Sequence, residues 1–285
     1  MGVNIGVLAA LASALLFALA PIFYGFAMKK FKPLEANFIR TLLTYPFCLL
    51  LLLLIKGSFN LDISGISYAF IVALTGSVVG DTSFIGSIKY VGASLATALS
   101  YTYIVFTVFM AVFIVSESLK VIHVLCLILV LTGIWICYFE VKGKVNRLGV
   151  LLSIITAISW SIAIISSKFA LKYMSPVELM VLRNGFALVL LSPIIFKNKN
   201  HASLFRGRHT IYLVLGALSG IVFGIQLYYF AVKAVGVILT TIITGSSPAL
   251  TLALAYILLR ERLSKRQLIG VILAIIGSYL ASLTR

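Results

Sequence analysis

The chain has 285 residues, 62% of them hydrophobic and 11% charged, with a formal net charge of +16 and a mean hydropathy of +1.16. A soluble domain is about 45–50% apolar and about 25% charged, so this composition excludes a water-soluble fold. The longest polar stretch, Lys197 to His209, is too short to fold alone, and the alternating segments of about ten residues that build a membrane β-barrel are absent.

Apolar runs of the length a bilayer requires, about 17–25 residues, occupy nearly the whole chain. They lie near 4–27, 34–55, 66–87, 94–115, 121–139, 148–171, 177–196, 210–231, 237–259 and 267–283. These runs predict an all-α integral membrane protein with ten transmembrane helices. The first has no Lys or Arg before Lys29, so it lacks the basic start of a cleaved signal peptide and is expected to stay.

The second run carries Arg40 about two turns in, read as a side chain that snorkels to the headgroups or faces a cavity. The third contains Gly76-x-x-x-Gly80 and then Asp81. A charge at that depth costs about 2.5–3.5 kcal/mol on insertion scales, so it needs a cavity or a partner. Two readings stand for Asp81: a substrate or proton site, and an internal ion pair. The fourth run holds Tyr101 and Tyr103 beside Ser100 and Thr102, and Glu117 follows it. Glu117 is expected to cap the next helix or to pair with loop bases.

In the sixth run Trp160, Ile164 and Lys168 follow at i, i+4 and i+8 and share one face. Lys168 either points inward, to hold an acidic ligand, or snorkels. Arg183 in the seventh run stands as deep as Arg40. The eighth contains Gly220-x-x-x-Gly224, then Gln226, Tyr228 and Tyr229; tyrosine offers an apolar face and a hydroxyl, which suits a ligand site or an interfacial belt. Pro248, after Ser246-Ser247, is expected to break the ninth run midway, as helices do where backbone lines a cavity.

The two halves repeat. Lys89-x-Val91-Gly92, Glu117 and Gly133 return as Lys233-x-Val235-Gly236, Glu261 and Gly277, an offset of 144. Gly6, Phe26-Ala27, Pro33, Glu35 and Arg40 return as Gly149, Phe169-Ala170, Pro176, Glu178 and Arg183, an offset of 143. The units are 1–144 and 145–285, each of five helices; an odd number of spans inserts the second upside down, the arrangement that permits alternating access around a central site. Features present in both halves are assigned to the frame. Small residues four apart allow close helix contact in lipid, so Gly76, Gly80, Gly220 and Gly224 are packing positions and the third and eighth helices are expected to touch. Features of one half alone are substrate candidates. Asp81 stands where Ile225 stands, Lys168 where Gly25 does, and Gln226, Tyr228 and Tyr229 replace Thr82, Phe84 and Ile85.

Ten runs in two repeats, Ser-Glu-x-Leu at 116–119 and Arg260-Glu261-Arg262-Leu263 before the final run of each half, Lys233-Ala-Val-Gly236, Trp160-Ser161 with Lys168, Pro176 to Arg183, and Ser247-Pro248 together resemble the drug/metabolite transporter superfamily, its EamA-type members most closely. The resemblance covers almost the whole chain. It implies a cell-membrane carrier exporting amino acids or similar small metabolites, with a cavity lined by the first, third, fourth, sixth, eighth and ninth helices. The fourth run departs from it, with Ile104 where the ninth has Pro248.

Orientation rests on two opposed arguments. Lys29, Lys30 and Lys32, Lys89, Lys142, Lys144 and Arg147, Lys197, Lys199, Arg206 and Arg208, and Arg260, Arg262, Lys265 and Arg266 put most basic residues on the side away from the termini, which the positive-inside rule places in the cytoplasm; the resemblance implies cytoplasmic termini.

Other classes are disfavoured. There is no Gly-x4-Gly-Lys-Ser/Thr phosphate loop for a primary pump, and no His-Glu-x-x-His or Gly-x-Ser-x-Gly for a membrane enzyme. Cys48, Cys126 and Cys137 fall inside runs and His123, His201 and His209 at run ends or in the long loop, with no disulfide or metal spacing; no cofactor is expected. The basic residues sit in short loops, where they anchor to lipid headgroups rather than to nucleic acid. The leading reading is a secondary transporter of small polar metabolites, most simply amino acids, with Asp81 as a candidate proton carrier. A sugar-phosphate or nucleotide-sugar exchanger, or a lipid-linked sugar flippase, shares the architecture.

Overall fold

A computed structural model describes residues 2–28, 31–55, 62–138, 146–193, 207–259 and 264–284. Every regular element among them is helical. In chain order they are α1 (Gly2–Ala27), α2 (Pro33–Ile55), α3 (Ile63–Val72), the π-helical segment π1 (Ala73–Gly80), α4 (Asp81–Ser100), α5 (Tyr103–Ile114), α6 (Val121–Tyr138), α7 (Arg147–Ala170) and α8 (Pro176–Leu191). Then come α9 (Arg208–Ala217), π2 (Leu218–Gly224), α10 (Ile225–Val235), α11 (Val237–Thr244), α12 (Ser247–Leu259) and α13 (Lys265–Leu283). Among the described residues, eight helical spans are long and apolar enough to cross a membrane; α6 is a shorter apolar helix, and α8 has 16 residues. The ten-helix expectation is therefore met at full span length in eight.

Polar caps start several helices where an apolar run alone would fray. The Asp62 side chain accepts from Ser64 N–H (2.8 Å) and Gly65 N–H (3.2 Å) ahead of α3, and Asn146 does the same for α7. Ser175 with Glu178, and Ser264 with Gln267, form capping boxes on α8 and α13, satisfying amides that have no intrahelical partner.

The interruptions obey the repeat. Both π segments end at matched glycines, Gly80 and Gly224. Gly92 (φ +83°) kinks α4 and Gly236 (φ +90°) separates α10 from α11; glycine adopts this backbone without the Cβ clash other residues meet. α4 ends at Ser100 and α5 starts at Tyr103, while α11 ends at Thr244 and α12 starts at Ser247. The break expected at Pro248 is present, and its partner in the first half forms without a proline, at Tyr101-Thr102. Lack of proline there does not leave the fourth span continuous.

Widened or broken turns free carbonyls, which must find partners away from water. The first helix of the opposite half supplies them. Ser13 donates to Gly224 O (2.9 Å) and, at the matching place, Thr156 to Gly80 O (3.3 Å). Ser161 on α7 donates to Tyr103 O (3.0 Å) at the start of α5. α12 instead carries the donor to α1, Ser247 bonding Ala14 O (3.0 Å) and Thr251 bonding Ala18 O (3.1 Å).

Packing corrects one expectation. The spans containing π1 and π2 do not form the close pair predicted from their glycines; each lies against the first helix of the other half. A Cβ on Gly80 would stand 2.6 Å from Trp160 Cδ1, and one on Gly224 would stand 3.0 Å from Phe17 Cδ1. Close approach is the glycines' effect, as expected, but the partners are α7 and α1. A second small-residue contact joins α6 to α13, where a Cβ on Gly133 would meet Ala274 N and Gly270 O at 2.6 Å.

Candidate functional site

Where π1, π2, α1, α4, α5, α7 and α10 converge, the helices leave a cavity of about 120 Å³. Its wall is mostly aromatic and aliphatic: Phe17, Tyr24, Phe84, Tyr101, Tyr103, Trp160, Tyr228 and Tyr229 stand around it with Ala20, Ala163, Ile164 and Ile221. Gly76 and Gly220, the first glycines of the two matched pairs, also face it. Trp160 is crossed edge-on by Tyr101 and Tyr103, with ring planes at 89° and 85°, an arrangement that suits the quadrupoles of aromatic rings.

One part of the wall is charged. Asp81, at the end of π1, is 7% exposed; Arg40 of α2 and Arg183 of α8 are 2% and 5% exposed. Asp81 Oδ2 pairs with Arg40 Nη2 at 2.9 Å and with Arg183 Nη2 at 3.0 Å, and Trp160 Nε1 donates to Asp81 Oδ1 at 2.9 Å. Arg40 also donates to Tyr24 Oη (2.6 Å) and, through Nε and Nη2, to Asn37 Oδ1 (3.0 and 2.8 Å). The Asn37 amide is held in turn by Ser77 O (2.7 Å) and Thr82 Oγ1 (2.8 Å). Arg183 Nη1 is buried and finds no acceptor among the described residues.

This corrects the snorkelling reading of the arginines. Two turns of helix put Arg40 and Arg183 beyond easy reach of a headgroup, and a buried carboxylate between them offers the compensation that a membrane-depth guanidinium needs. The two arginines are related by the repeat, whereas the aspartate has no counterpart, so one acid serves a matched pair of bases.

Of the residues singled out from sequence, Asp81, Trp160, Tyr101, Tyr103, Tyr228 and Tyr229 share this wall. Lys168, Gln226 and Pro248 do not. Gln226 is partly buried, and its Oε1 has no hydrogen-bond partner among the described residues. Pro248 lies in the first turn of α12, where a missing N–H is harmless.

Lys168 lies about 12 Å along α7 from Trp160, at 1.5 Å per residue, and closes a different constellation. Its Nζ pairs with Glu117 Oε1 at 3.2 Å and approaches Val232 O at 3.5 Å. Glu117 caps α11 with both oxygens, accepting from Val237 N–H and Ile238 N–H at 2.9 Å each. It therefore caps a helix of the opposite half, not the next one in sequence. Ser116, at φ +60°, makes the turn that aims it. Glu261, its repeat counterpart, lies outside the described residues. His123 is buried at the start of α6, where its Nδ1 accepts from Lys120 N–H (3.4 Å).

Sequence reasoning missed Tyr24, Asn37, Phe17 and Phe84. Comparing the halves would have flagged Tyr24, whose counterpart is Ser167. Phe17 stands where Trp160 does in the second half and was concealed because both are aromatic.

The sequence profile of the EamA-like transporter family matches residues 4–139 and 147–283. A protein of Archaeoglobus fulgidus described as an uncharacterized transporter is 27% identical over 275 residues, 95% of each chain. One of Clostridium kluyveri with the same description is 24% identical over 200 residues, 67% of this chain and 64% of its own. A crystal structure only 15% identical has a TM-score of 0.78 over 97% of this chain and 96% of that one, and so shares the fold. With both halves matched, the chain is a multi-pass membrane protein of the EamA-like transporter family, within the drug/metabolite transporter superfamily.

Proposed function

We propose that the protein is a secondary transporter that exports small carboxylate-bearing metabolites, the group to which amino acids and related compounds belong. Ten spans, in inverted five-helix units at 1–144 and 145–285, alternate access to the central cavity. Asp81, Trp160, Tyr101, Tyr103, Tyr228 and Tyr229, with Arg40, Arg183 and Tyr24, form the solute site. The observation that carries this reading is an aromatic cavity between the halves with one charged cluster in its wall. Such a site grips one polar end of a solute and shelters an apolar body.

Size separates the alternatives. A cavity of roughly 150 Å³ holds a benzene, so about 120 Å³ suits an amino-acid-sized molecule and is several-fold too small for a nucleotide sugar or a lipid-linked sugar. Two guanidiniums and the tyrosine hydroxyls of the wall favour a sugar phosphate as the second reading. Asp81, the one acid in the cavity wall, is the candidate for coupling to a proton.

Counterflow of labelled solutes into liposomes tests the reading. Ile164→Cys puts a thiol on the cavity wall, while the native Cys48, Cys126 and Cys137 are buried. A bulky thiol reagent is expected to stop flux in the variant and leave the wild type unaffected. Undiminished flux in fully labelled variant would place the solute path elsewhere.

A further inference from the structure

We infer that the cavity selects a small organic monoanion, a carboxylate on an apolar body smaller than benzene, over the zwitterion or the cation of the same body. This rests on the cavity being the solute site.

The charges on the cavity wall do not balance. Arg40 and Arg183 face a single carboxylate, Asp81. Lys168, in the last turn of α7, is answered by Glu117 away from the cavity. One positive charge is therefore left over in a place where water is scarce and an uncompensated charge is unfavourable. A monoanion brings the wall and its ligand to zero. A zwitterion leaves the excess in place, and a cation doubles it.

The hydrogen bonds point the same way. Three donors already converge on Asp81, two of them on Oδ2, which leaves little there for a ligand ammonium. Donors are in surplus, since Arg183 Nη1 is buried without an acceptor among the described residues. A ligand carboxylate competes with Asp81 for the two guanidiniums and relieves that surplus as it does so. The rest of the wall is aromatic and aliphatic, matching a compact apolar body by dispersion.

The chain contains two tryptophans. Trp135 is 65% exposed on the outer face of α6, and Trp160 lines the cavity beside Asp81. Trp135→Phe makes Trp160 the sole reporter. This variant in nanodiscs is titrated with 3-methylbutanoate, valine and isobutylamine, which share one small body and differ in charged groups. Trp160 emission is read alongside the thermal unfolding midpoint. Expected is a Trp160 response to 3-methylbutanoate at about tenfold lower concentration than to valine, as one charge-assisted hydrogen bond implies, and none to the amine. A response to valine or the amine at equal or lower concentration overturns the ligand class, and so does no response or stabilisation by any of the three. A raised midpoint with unchanged Trp160 emission puts the ligand outside the cavity and overturns the reading beneath the inference.

Discussion

Glu117→Gln tests whether the cross-half contact at Lys168 holds one end of the cavity shut. The amide keeps the size of the side chain and one acceptor, but loses the charge and the second acceptor. In the wild type the two carboxylate oxygens take Val237 N–H and Ile238 N–H at 2.9 Å, and Oε1 also meets Lys168 Nζ at 3.2 Å. Loss of an N-terminal cap costs about 0.5–2 kcal/mol. The Lys168 pair, with side chains 23% and 19% exposed, contributes near the upper part of the roughly 0–1 kcal/mol of an accessible pair. Together these give about 1–3 kcal/mol, or roughly a 5–150-fold shift in a two-state equilibrium. At the same end α1 packs on α10, where a Cβ on Gly6 would stand 2.7 Å from Ala234 Cβ. Releasing the cap therefore loosens the seam between the halves. The assay is the rate of thiol modification of Ile164→Cys in vesicles, probed separately from each face. The variant is expected to react faster from the face that bears the N-terminus, with Lys168→Met giving a smaller increase in the same direction. Unchanged rates from both faces, or acceleration only from the opposite face, would refute the argument.

Arg40→Met removes one base from a buried pair and leaves Tyr24, Asn37 and Asp81 short of a donor; the unfolding midpoint in detergent should fall by the equivalent of about 3–5 kcal/mol. Gly80→Val drives a side chain into Trp160, and both stability (about 1–3 kcal/mol) and flux should drop, with Trp160 emission altered before any solute is added. Thr156→Val leaves the Gly80 carbonyl without its cross-half donor and should cost about 0.6–1.7 kcal/mol, with a similar loss for Ser13→Ala at Gly224; a null effect in both would show that π-segment carbonyls need no such donor. Gly92→Ala and Gly236→Ala both force a residue into glycine-only backbone at about 1–3 kcal/mol. A Cβ at 92 meets nothing within 4 Å, whereas one at 236 stands 3.1 Å from the Glu117 carboxylate, so thermal unfolding should show Gly236→Ala as the worse of the two.

The spans were legible because in lipid every backbone group must be satisfied within the helix, which forces apolar runs long enough to read directly. The internal repeat carried further information, since Gly92 and Gly236, or Arg40 and Arg183, are recognisable only as pairs. Three features were not legible. The direction of Arg40 depends on rotation of α2 about its axis, and a helix apolar on all sides gives no periodic signal for it. The partner of Glu117 is 120 residues away in sequence, a distance that no local rule spans. The π segments follow from two glycines four apart, a spacing that equally describes an ordinary small-residue contact; nothing local shows that the turn widens or that the partner is α7 rather than the matching glycine pair.

The symmetric and asymmetric parts of the molecule have separable effects. The frame is paired: breaks at Ser100–Tyr103 and Thr244–Ser247, kinks at Gly92 and Gly236, and hydroxyls from Ser13 and Thr156 on the carbonyls of Gly224 and Gly80. On the proposed alternating access, such pairing would let two inverted units exchange conformations at little net cost, since contacts broken at one end reform at the other. Asp81 and Lys168 have no charged counterpart in the other half, where Ile225 and Gly25 stand. Lys168 adds an ion pair to the Glu117 cap that its counterpart, Gly25, cannot add at the other end, so closure at the α11 end gains free energy that the opposite closure lacks. The two states of the frame are then unequal in the empty carrier, with closure at the α11 end favoured. Replacing Lys168 by glycine, to match Gly25, removes that difference at its source. Combined with Ile164→Cys, that replacement should make thiol accessibility from the two faces converge, and a persistent bias would trace the inequality to Asp81 instead.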